Sequence, residues 1–392
     1  MTPEARIAAA AEILDRFLAG EAAEKALTGW ARNSRFAGSK DRAAIRDHVF
    51  DAIRCRRSLA ALGGAETGRG LMLGQLISQG ADASAVFTGQ GHAPAVLTPQ
   101  ESRHIAATTA TDLEDLPDPV RYDMPDWLWP LWCASLGDQA RPVAAELRHR
   151  AGTHLRVNLQ RADRAEAQAQ LSREGVETRP NPICDTALSV VSGARKVAGT
   201  ESYRSGLVEL QDAASQALAA AVDVPEGGRV LDYCAGGGGK SLAMAARISA
   251  NYWAHDANPG RLKDVPARAA RAGVTVHLTS SPQGPFDTVL CDVPCSGSGS
   301  WRRATEGKWR LTSEELGALT ALQSDILDRA ADLVAPGGSL AYATCSVLTA
   351  ENDDQLAAFL KRRPGWTMTG TTSWLPGPDC DGFYLAQLRR PV

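Results

Sequence analysis

Apolar residues recur at intervals of three and four through the first 62 residues of the chain. This spacing is typical of helices that pack along one face, so a helical bundle is predicted here. The apolar stripe consists of Ile7, Ile13, Leu14, Phe17, Leu18, Leu27, Trp30, Ile45, Val49, Phe50 and Ile53. A basic loop, residues 32–42, interrupts the pattern, and its arginines and Phe36 are compatible with gripping phosphate. A solvated surface loop explains the same residues equally well.

The pattern changes to short apolar runs from residue 155 onward. Residues 155–205 follow the order strand, helix, strand, strand and predict a small α+β domain. After residue 207, strand-like runs alternate with helical stretches and glycine turns, which is typical of a doubly wound parallel sheet. The predicted strands of that sheet are residues 229–232, 251–255, 274–278, 286–291 and 339–343.

Three tryptophans lie in the proline-bearing connector that separates these two patterns. Trp127, Trp129 and Trp132 predict a helix that packs against a neighbouring domain. Stacking on nucleic-acid bases is the alternative interpretation of the same side chains.

Composition and charge narrow the class of protein. The chain has 392 residues, of which 44% are hydrophobic and 22% charged, as expected for a globular protein of two or three domains. Eight cysteines without a CxxC pair argue against disulfides and structural zinc, and seven dispersed histidines indicate no metal. The N-terminus matches no targeting peptide, and no run of about 18 apolar residues occurs, so we expect a cytoplasmic protein without a membrane span.

A glycine turn, residues 232–241, follows the first strand of the predicted parallel sheet. A phosphate-binding loop would need a glycine five positions before Gly239, where Cys234 stands. The next strand ends near Asp256, and an acid at that tip suits hydrogen bonding to ribose hydroxyls. An N-cap for the segment that starts at Pro259 is the other interpretation of Asp256.

Two cysteines each follow a strand-like run of the same sheet. Cys295 lies in residues 292–299 and Cys345 in residues 342–346. In a parallel sheet both thiols would lie at carboxyl ends, where ligands bind. Their placement therefore makes them candidates for chemistry. Five other cysteines are interpreted as small buried hydrophobic residues, namely Cys55, Cys133, Cys184, Cys291 and Cys380.

These motifs together resemble the Sun (Fmu) family of RNA cytosine-5 methyltransferases. The resemblance rests on residues 232–241, 292–299, 342–346 with Glu351 and Asn352, and 381–386. The N-terminal stretch, with residues 35–42, resembles the NusB-like domain of the bacterial 16S rRNA members. The resemblance implies a NusB-like helical domain with linker (1–138), an RRM-like α+β RNA-binding domain (139–205) and a Rossmann-like methyltransferase domain (206–392).

The resemblance also implies site residues and a mechanism. Cys345 would attack C6 of cytosine, C5 would take a methyl group from S-adenosylmethionine, and Cys295 would assist product release. Asp292 would hydrogen-bond the cytosine ring and also border the cofactor. The implied cofactor-binding residues are Cys234, Ala235, Gly236, Gly237, Gly238, Gly239, Lys240, Asp256 and Asp292.

Several alternatives remain open from the sequence. DNA cytosine-5 methyltransferases use the cysteine of a Pro-Cys pair, which here is Cys295. Lys240 would meet either the cofactor carboxylate or a substrate phosphate. Arg302, Arg303, Lys308 and Trp309 are interpreted as RNA contacts, or as a solvated basic face. The expected partner is RNA, most simply 16S rRNA bound by a monomer, with tRNA or a non-catalytic role in ribosome assembly as alternatives.

The chain departs from the family pattern at three places. Gly236 and Gly237 replace Ala-Pro, so a more mobile turn and weaker cofactor binding are expected. An acid after the third strand is missing, and residues 278–281 offer Thr279 or Ser280 in its place. Residues 302–309 lack the usual proline.

Overall fold

The computed structural model describes residues 1–108 and 113–392, which divide into two compact units. The helical unit comprises Met1–Cys133, Gly137–Arg150 and Trp301–Arg310. The sheet unit comprises Ala134–Leu136, Ala151–Ser300 and Leu311–Val392. Within the described ranges, no helix is both long enough and apolar enough to cross a membrane.

Helices occur in both units. In chain order they are α1 Pro3–Leu18, α2 Ala23–Asn33, α3 Ser39–Arg54, α4 Arg56–Gly63, α5 Gly68–Ser78, α6 Ala83–Val86, α7 Pro99–Thr108, α8 Asp118–Arg121, α9 Trp129–Leu136, α10 Ala140–Glu146, α11 Arg164–Arg173, α12 Glu201–Arg204, α13 Ala213–Ala221, α14 Gly239–Ala245, α15 Val265–Ala272, α16 Gly307–Arg310, α17 Ser313–Leu333 and α18 Asp353–Arg362. Short 3-10 turns are Leu113–Asp115, Gly137–Gln139, Ala194–Gly199, Pro259–Leu262, Ser298–Ser300 and Thr349–Glu351.

The strands all belong to the sheet unit. In chain order they are β1 His154–Val157, β2 Glu177–Pro180, β3 Ala187–Ser192, β4 Val208–Leu210, β5 Arg229–Asp232, β6 Asn251–Ala254, β7 His277–Leu278, β8 Phe286–Asp292, β9 Val334–Thr344, β10 Thr367–Trp374 and β11 Phe383–Arg389.

The apolar stripe of the first 62 residues forms the core of the helical unit. Its most deeply buried members are Ile13, Leu14, Ile45, Val49 and Ile53, which have no exposed surface. Helices α4 and α5 pack so closely that a methyl group on Gly74 would lie 2.0 Å from the backbone oxygen of Leu59. The prediction of packed helices is therefore confirmed.

The tryptophans of the connector pack against other rings of the helical unit. Trp132 is fully buried, stacks on Trp301 with 6.1 Å between ring centroids, and donates from Nε1 to the Ala140 carbonyl at 2.8 Å. Trp129 stacks on Tyr122 with centroids 5.6 Å apart. The tryptophans therefore pack within the helical unit itself, so packing is confirmed for Trp132 and Trp129, but the predicted partner, a neighbouring domain, is wrong for the contacts that these two rings make.

A small antiparallel sheet with the order β2-β3-β1-β4 forms one part of the sheet unit. Helix α11 covers it and begins with a capping box between Asp163 and Glu166. Their shared core contains Leu155, Val157, Ala167, Leu171, Leu188 and Val208. This arrangement confirms the predicted small α+β domain.

The larger sheet has the strand order β10-β11-β9-β8-β5-β6-β7. Strands β5 to β9 are parallel, whereas β11 and β10 are antiparallel to their neighbours. The chain runs outward from β5 to β7 and returns to β8 on the other side of β5, so the strand order reverses between β5 and β8. Such a reversal opens a crevice at the carboxyl ends of the strands. The doubly wound prediction is confirmed for the parallel strands.

One predicted strand is much shorter than expected. Of residues 274–278, only His277 and Leu278 pair with β6, and both side chains are exposed. At the edge of a sheet a strand gains hydrogen bonds on one side only, and of the predicted residues Val274 and Val276 pack against the core without pairing in the sheet.

Candidate active site

The predicted site residues lie at the carboxyl ends of β5, β6, β8 and β9, either in the last residue of the strand, in the loop that follows it or in the first turn of α14. Strand β5 ends at Asp232 and continues into the glycine turn, and Asp256 follows β6. Strand β8 ends at Asp292, three residues before Cys295, and Cys345 directly follows β9. Because these strands are adjacent and parallel, the four loops share one edge of the sheet. The structure thus brings together the residues that the motifs implied.

The two thiols lie in contact. The Sγ atoms of Cys295 and Cys345 are 3.4 Å apart, and the Gly299 amide donates to the Cys345 carbonyl at 2.9 Å. The hydrogen bond from Cys295 lowers the pKa of the Cys345 thiol. Burial and the charge of Asp292 oppose this effect, and the charge of Lys240 supports it. The same hydrogen bond, together with burial, raises the pKa of Cys295 well above its ordinary value. The pair is therefore unequal, with the thiolate favoured on Cys345.

An ion pair borders the thiols. Lys240 Nζ donates to Asp292 Oδ2 at 2.6 Å and lies 5.2 Å from the centre of the Phe383 ring. Burial lowers the pKa of Lys240, but the Asp292 carboxylate more than offsets it, so the net pKa is raised. Lys240 is thus held as a cation against Asp292, whose side chain remains 31% exposed.

A buried carboxylate joins the two cysteine loops. Glu351 has no exposed surface and accepts hydrogen bonds from the Ser296 amide at 2.8 Å, the Ser346 hydroxyl at 2.5 Å and Gln323 Nε2 at 3.0 Å. Ser296 follows Cys295 and Ser346 follows Cys345, so Glu351 fixes one loop relative to the other. Glu351 is part of the sequence motif around Cys345, but its role in joining the two loops becomes visible only in the register of β8 and β9.

The glycine turn is shaped by two left-handed glycines and by Asp256. Gly236 and Gly238 have φ values of +51° and +74°, in the region that favours glycine. The Gly236 amide donates to Asp256 Oδ2 at 3.0 Å, and the Asn258 amide donates to Asp256 Oδ1 at 2.9 Å. Asn258, rather than Asp256, caps the turn that starts at Pro259. A ribose contact by Asp256 stays a prediction.

The base of the turn fits S-adenosylmethionine. Asp232 Oδ2 accepts from Ser241 Oγ at 2.6 Å, whereas Asp232 Oδ1 is buried without a hydrogen-bond partner in the described part of the chain. Burial raises the pKa of Asp232 to about 7. A methyl group on Gly239 would make only an ordinary van der Waals contact, with Gln211 Nε2 at 3.7 Å, so the backbone at the start of α14 is not crowded on that side. An amino group is the kind of partner that Asp232 lacks.

The end of β7 offers Thr279 where the family pattern has an acid. Its amide donates to the Ala254 carbonyl at the end of β6, at 3.0 Å, and its side chain is half-buried. Ser280 is exposed. Thr279 is therefore the better placed of the two, although its contact with an adenine stays a prediction.

Two of the basic residues after the thiol motif, Arg302 and Lys308, are buried, whereas Arg303 is exposed and its contact with RNA stays a prediction. Arg302 is 2% exposed and donates from Nη1 to Glu146 at 2.7 Å. Lys308 is 1% exposed and donates to the Arg54 carbonyl at 2.9 Å, and burial lowers the pKa of Lys308 to about 8. Trp309 Nε1 donates to the Ile53 carbonyl at 2.7 Å. The RNA-contact interpretation is wrong for Arg302 and Lys308, because both side chains lie inside the helical unit.

Two family models match the chain. Residues 219–389 match the model of the 16S rRNA methyltransferases RsmB/F. Residues 124–197 match the model of the ferredoxin-like domain of RsmF/B-like methyltransferases. The second match contains β1, β2 and β3, which agrees with the antiparallel sheet described above.

Curated relatives carry related names. The chain is 35% identical over 291 residues to ribosomal RNA small subunit methyltransferase B of Vibrio cholerae, covering 70% of this chain and 67% of the relative. It is 30% identical over 280 residues to the probable ribosomal RNA small subunit methyltransferase B of Bacillus subtilis, covering 67% of this chain and 62% of the relative. The chain thus spans about two thirds of the length of these relatives.

Solved structures share the fold at lower identity. The structure of PH0851 aligns with a TM-score of 0.74 at 21% identity, covering 100% of this chain and 99% of that one. A methyltransferase homolog protein from Pyrococcus horikoshii aligns with a TM-score of 0.61 at 21% identity, covering 70% of this chain and 97% of that one.

Proposed function

Because this chain belongs to the RsmB/F (Sun) family of RNA methyltransferases, we propose that it methylates C5 of a cytosine in 16S rRNA. The membership confirms the resemblance found in the motifs. The observation that carries the proposal is the contact between two thiols, 3.4 Å apart, at the carboxyl ends of β8 and β9. Cytosine C5 is a poor nucleophile until a group adds to C6, and a thiolate is suited to that addition.

The first step assigns Cys345 as the nucleophile. Its sulfur forms a bond to C6 while the electrons of the C5–C6 double bond move onto C5 and the ring. We propose that Asp292 accepts a hydrogen bond from the exocyclic amine of the cytosine or, when it carries a proton, donates one to N3, where the proton takes up the charge that the attack pushes into the ring. Lys240, held 2.6 Å from Asp292, offsets the charge of that carboxylate beside the attacking thiolate.

The later steps restore the aromatic ring. When bound, S-adenosylmethionine supplies the methyl group that C5 accepts. A solvent base then takes the C5 proton, the electrons of that C–H bond re-form the C5–C6 double bond, and the bond between C6 and Cys345 breaks with its electrons on sulfur. Cys295 is positioned to donate its proton to the departing sulfur of Cys345, which makes that sulfur a better leaving group.

RNA binding is proposed for the basic loop of the helical unit. Arg32, Arg35, Lys40 and Arg42 are exposed, and the Phe36 side chain is 75% exposed. Exposed cations beside an aromatic ring suit phosphate contact and base stacking. The likeness of this unit to a NusB domain, and the predicted domain boundaries, stay predictions.

The proposal is tested by locating the transferred methyl group. The protein is incubated with S-adenosylmethionine labelled in its methyl group and with separate pools of 16S rRNA and tRNA. We expect 5-methylcytidine in the 16S rRNA, identified by mass spectrometry of the nucleosides. Label found only in tRNA would contradict the rRNA assignment, and label on a ribose or on the exocyclic amine would contradict transfer to C5.

A further inference from the structure

Two carbonyl groups of the glycine turn accept hydrogen bonds from side chains outside the turn. Arg156 Nη1 donates to the Gly239 carbonyl at 2.9 Å, and Gln211 Nε2 donates to the same oxygen at 3.3 Å. Arg268 Nη1 donates to the Gly237 carbonyl. On its amide side the turn is held by Asp256 through Gly236. Side chains therefore bind both carbonyl and amide groups of this run of glycines and fix its backbone.

The two arginines come from different parts of the sheet unit. Arg156 is in β1 of the small antiparallel sheet and is 5% exposed, whereas Arg268 is in α15 beside the large sheet. Glu209 of β4 forms ion pairs with Arg268 at 3.5 Å and with Arg271 at 2.5 Å. The charge of Glu209 thus holds Arg268 in the direction of the turn.

The hydrogen-bonded segment, residues 236–239, contains the glycines that depart from the family pattern. Four consecutive glycines lose more conformational freedom on ordering than the Ala-Pro-bearing turn would. Arginine hydrogen bonds to carbonyls are charge-assisted, and they act here from residues that are themselves fixed by packing and ion pairs. A methyl group on Gly237 would lie 2.9 Å from Arg268 Nη1, so the guanidinium occupies the space of the missing side chain.

We propose that Arg156 and Arg268 are positioning residues that hold the glycine turn in its cofactor-binding shape. The small antiparallel sheet is then part of the machinery for S-adenosylmethionine, in addition to any role with RNA. This inference rests on the proposed function only in the identity of the cofactor.

The direct test replaces Arg268, which is partly exposed, and measures cofactor binding without catalysis. The probe is S-adenosylhomocysteine, titrated into the full-length protein by calorimetry. For Arg268→Ala we expect Kd to rise about tenfold, because one charge-assisted hydrogen bond to the turn is lost. Amide hydrogen exchange of residues 236–239 in the ligand-free protein is expected to accelerate. In turnover assays, KM for S-adenosylmethionine should rise by a larger factor than kcat falls.

Arg271→Ala is the matched control. Arg271 lies on the same helix and pairs with the same Glu209, and its guanidinium is bound to Glu209 rather than to the turn. We expect a Kd within about twofold of wild type, since the contacts to Gly237 and Gly239 remain. An equal loss in both variants would assign the effect to Glu209 pairing and overturn the proposal.

The effect of Gly237→Ala on cofactor affinity should have opposite directions in the wild-type and Arg268→Ala proteins, which a merely structural role of Arg268 would not produce. In the wild-type background Gly237→Ala should weaken binding, because the new methyl group meets Arg268. In the Arg268→Ala background the same change has room and stiffens the turn, so it should recover part of the lost affinity. Wild-type Kd and exchange rates in Arg268→Ala would overturn the inference. Failure of the wild-type protein to bind S-adenosylhomocysteine would instead overturn the proposed function.

Discussion

The thiol loop, residues 292–300, and the basic segment that follows it, Trp301–Arg310, are consecutive in the chain yet differ in what they do. Both contain residues typical of an RNA-modifying site. In the thiol loop, Cys295 contacts Cys345 and borders an exposed edge of Asp292. In the basic segment, Arg302 and Lys308 are at most 2% exposed and are bound to protein groups. The difference shows that a motif predicts chemistry when the fold fixes the position of its residues. Basic residues that merely follow such a motif in the chain do not by themselves predict contact with RNA.

The unpaired carbonyl groups at the end of helix α3 explain why the basic segment is buried. The last carbonyls of a helix have no partner within the helix, and cations are favoured at that end. Lys308 and Trp309 donate to the carbonyls of Arg54 and Ile53, which end α3. The segment therefore caps a helix of the helical unit.

The largest expected effect is at Cys345. Cys345→Ala removes the nucleophile, so methylation should fall by at least about 10³-fold in a single-turnover assay with 16S rRNA. Cys133→Ala, a half-buried cysteine of the helical unit, is the control and should retain activity. Substantial turnover by Cys345→Ala would show that the thiol loop does not work as described.

The next prediction separates two adjacent arginines. Arg302→Ala deletes a buried, paired side chain and should lower the free energy of unfolding by about 3 kcal/mol, measured by urea denaturation. Arg303 is exposed, and Arg303→Ala should change the free energy of unfolding by less than about 0.5 kcal/mol. If Arg302→Ala instead leaves stability unchanged and weakens RNA binding, the segment is an RNA surface after all.

A smaller effect is expected at the carboxylate that joins the two cysteine loops. Glu351→Gln replaces one acceptor oxygen by a donor and so breaks a hydrogen bond from Ser296 or Ser346. Because small misplacements of reacting groups are costly, kcat should fall by about 10- to 100-fold with KM for RNA nearly unchanged. Glu314→Gln, the same change on an exposed residue, should have no effect on kcat. An unaltered kcat in Glu351→Gln would contradict the joining role.

The site could be predicted from sequence to the extent that strand ends determine it. The runs before Asp232, Asp292 and Cys345 are buried in a parallel sheet, and such strands have near-continuous apolar sequences. Strand β10 was not predicted because its side chains up to Trp374 are exposed and, apart from Met368, not apolar, so no apolar alternation marks it. The burial of Lys308 and the contacts of Glu351 depend on residues far away in the chain, so no local pattern indicates them.

The smallest expected effect is at the exposed loop of the helical unit. The double variant Arg32→Gln, Arg35→Gln should weaken RNA binding several-fold and reduce the salt dependence of binding by about one to two phosphate contacts. Arg103→Gln changes an exposed arginine elsewhere in the same unit and serves as the control. Equal losses in both would indicate a general effect of net charge rather than a binding loop.

The central claim, that the two contacting thiols have unequal roles, is tested most directly by trapping the covalent intermediate. Cys295→Ala keeps the nucleophile and removes the proton donor to the departing sulfur. With S-adenosylmethionine and 16S rRNA, it should accumulate a denaturation-resistant protein–RNA adduct, and mass spectrometry should place the RNA on Cys345. An adduct that forms in Cys345→Ala and maps to Cys295 would contradict the account by reversing the two roles.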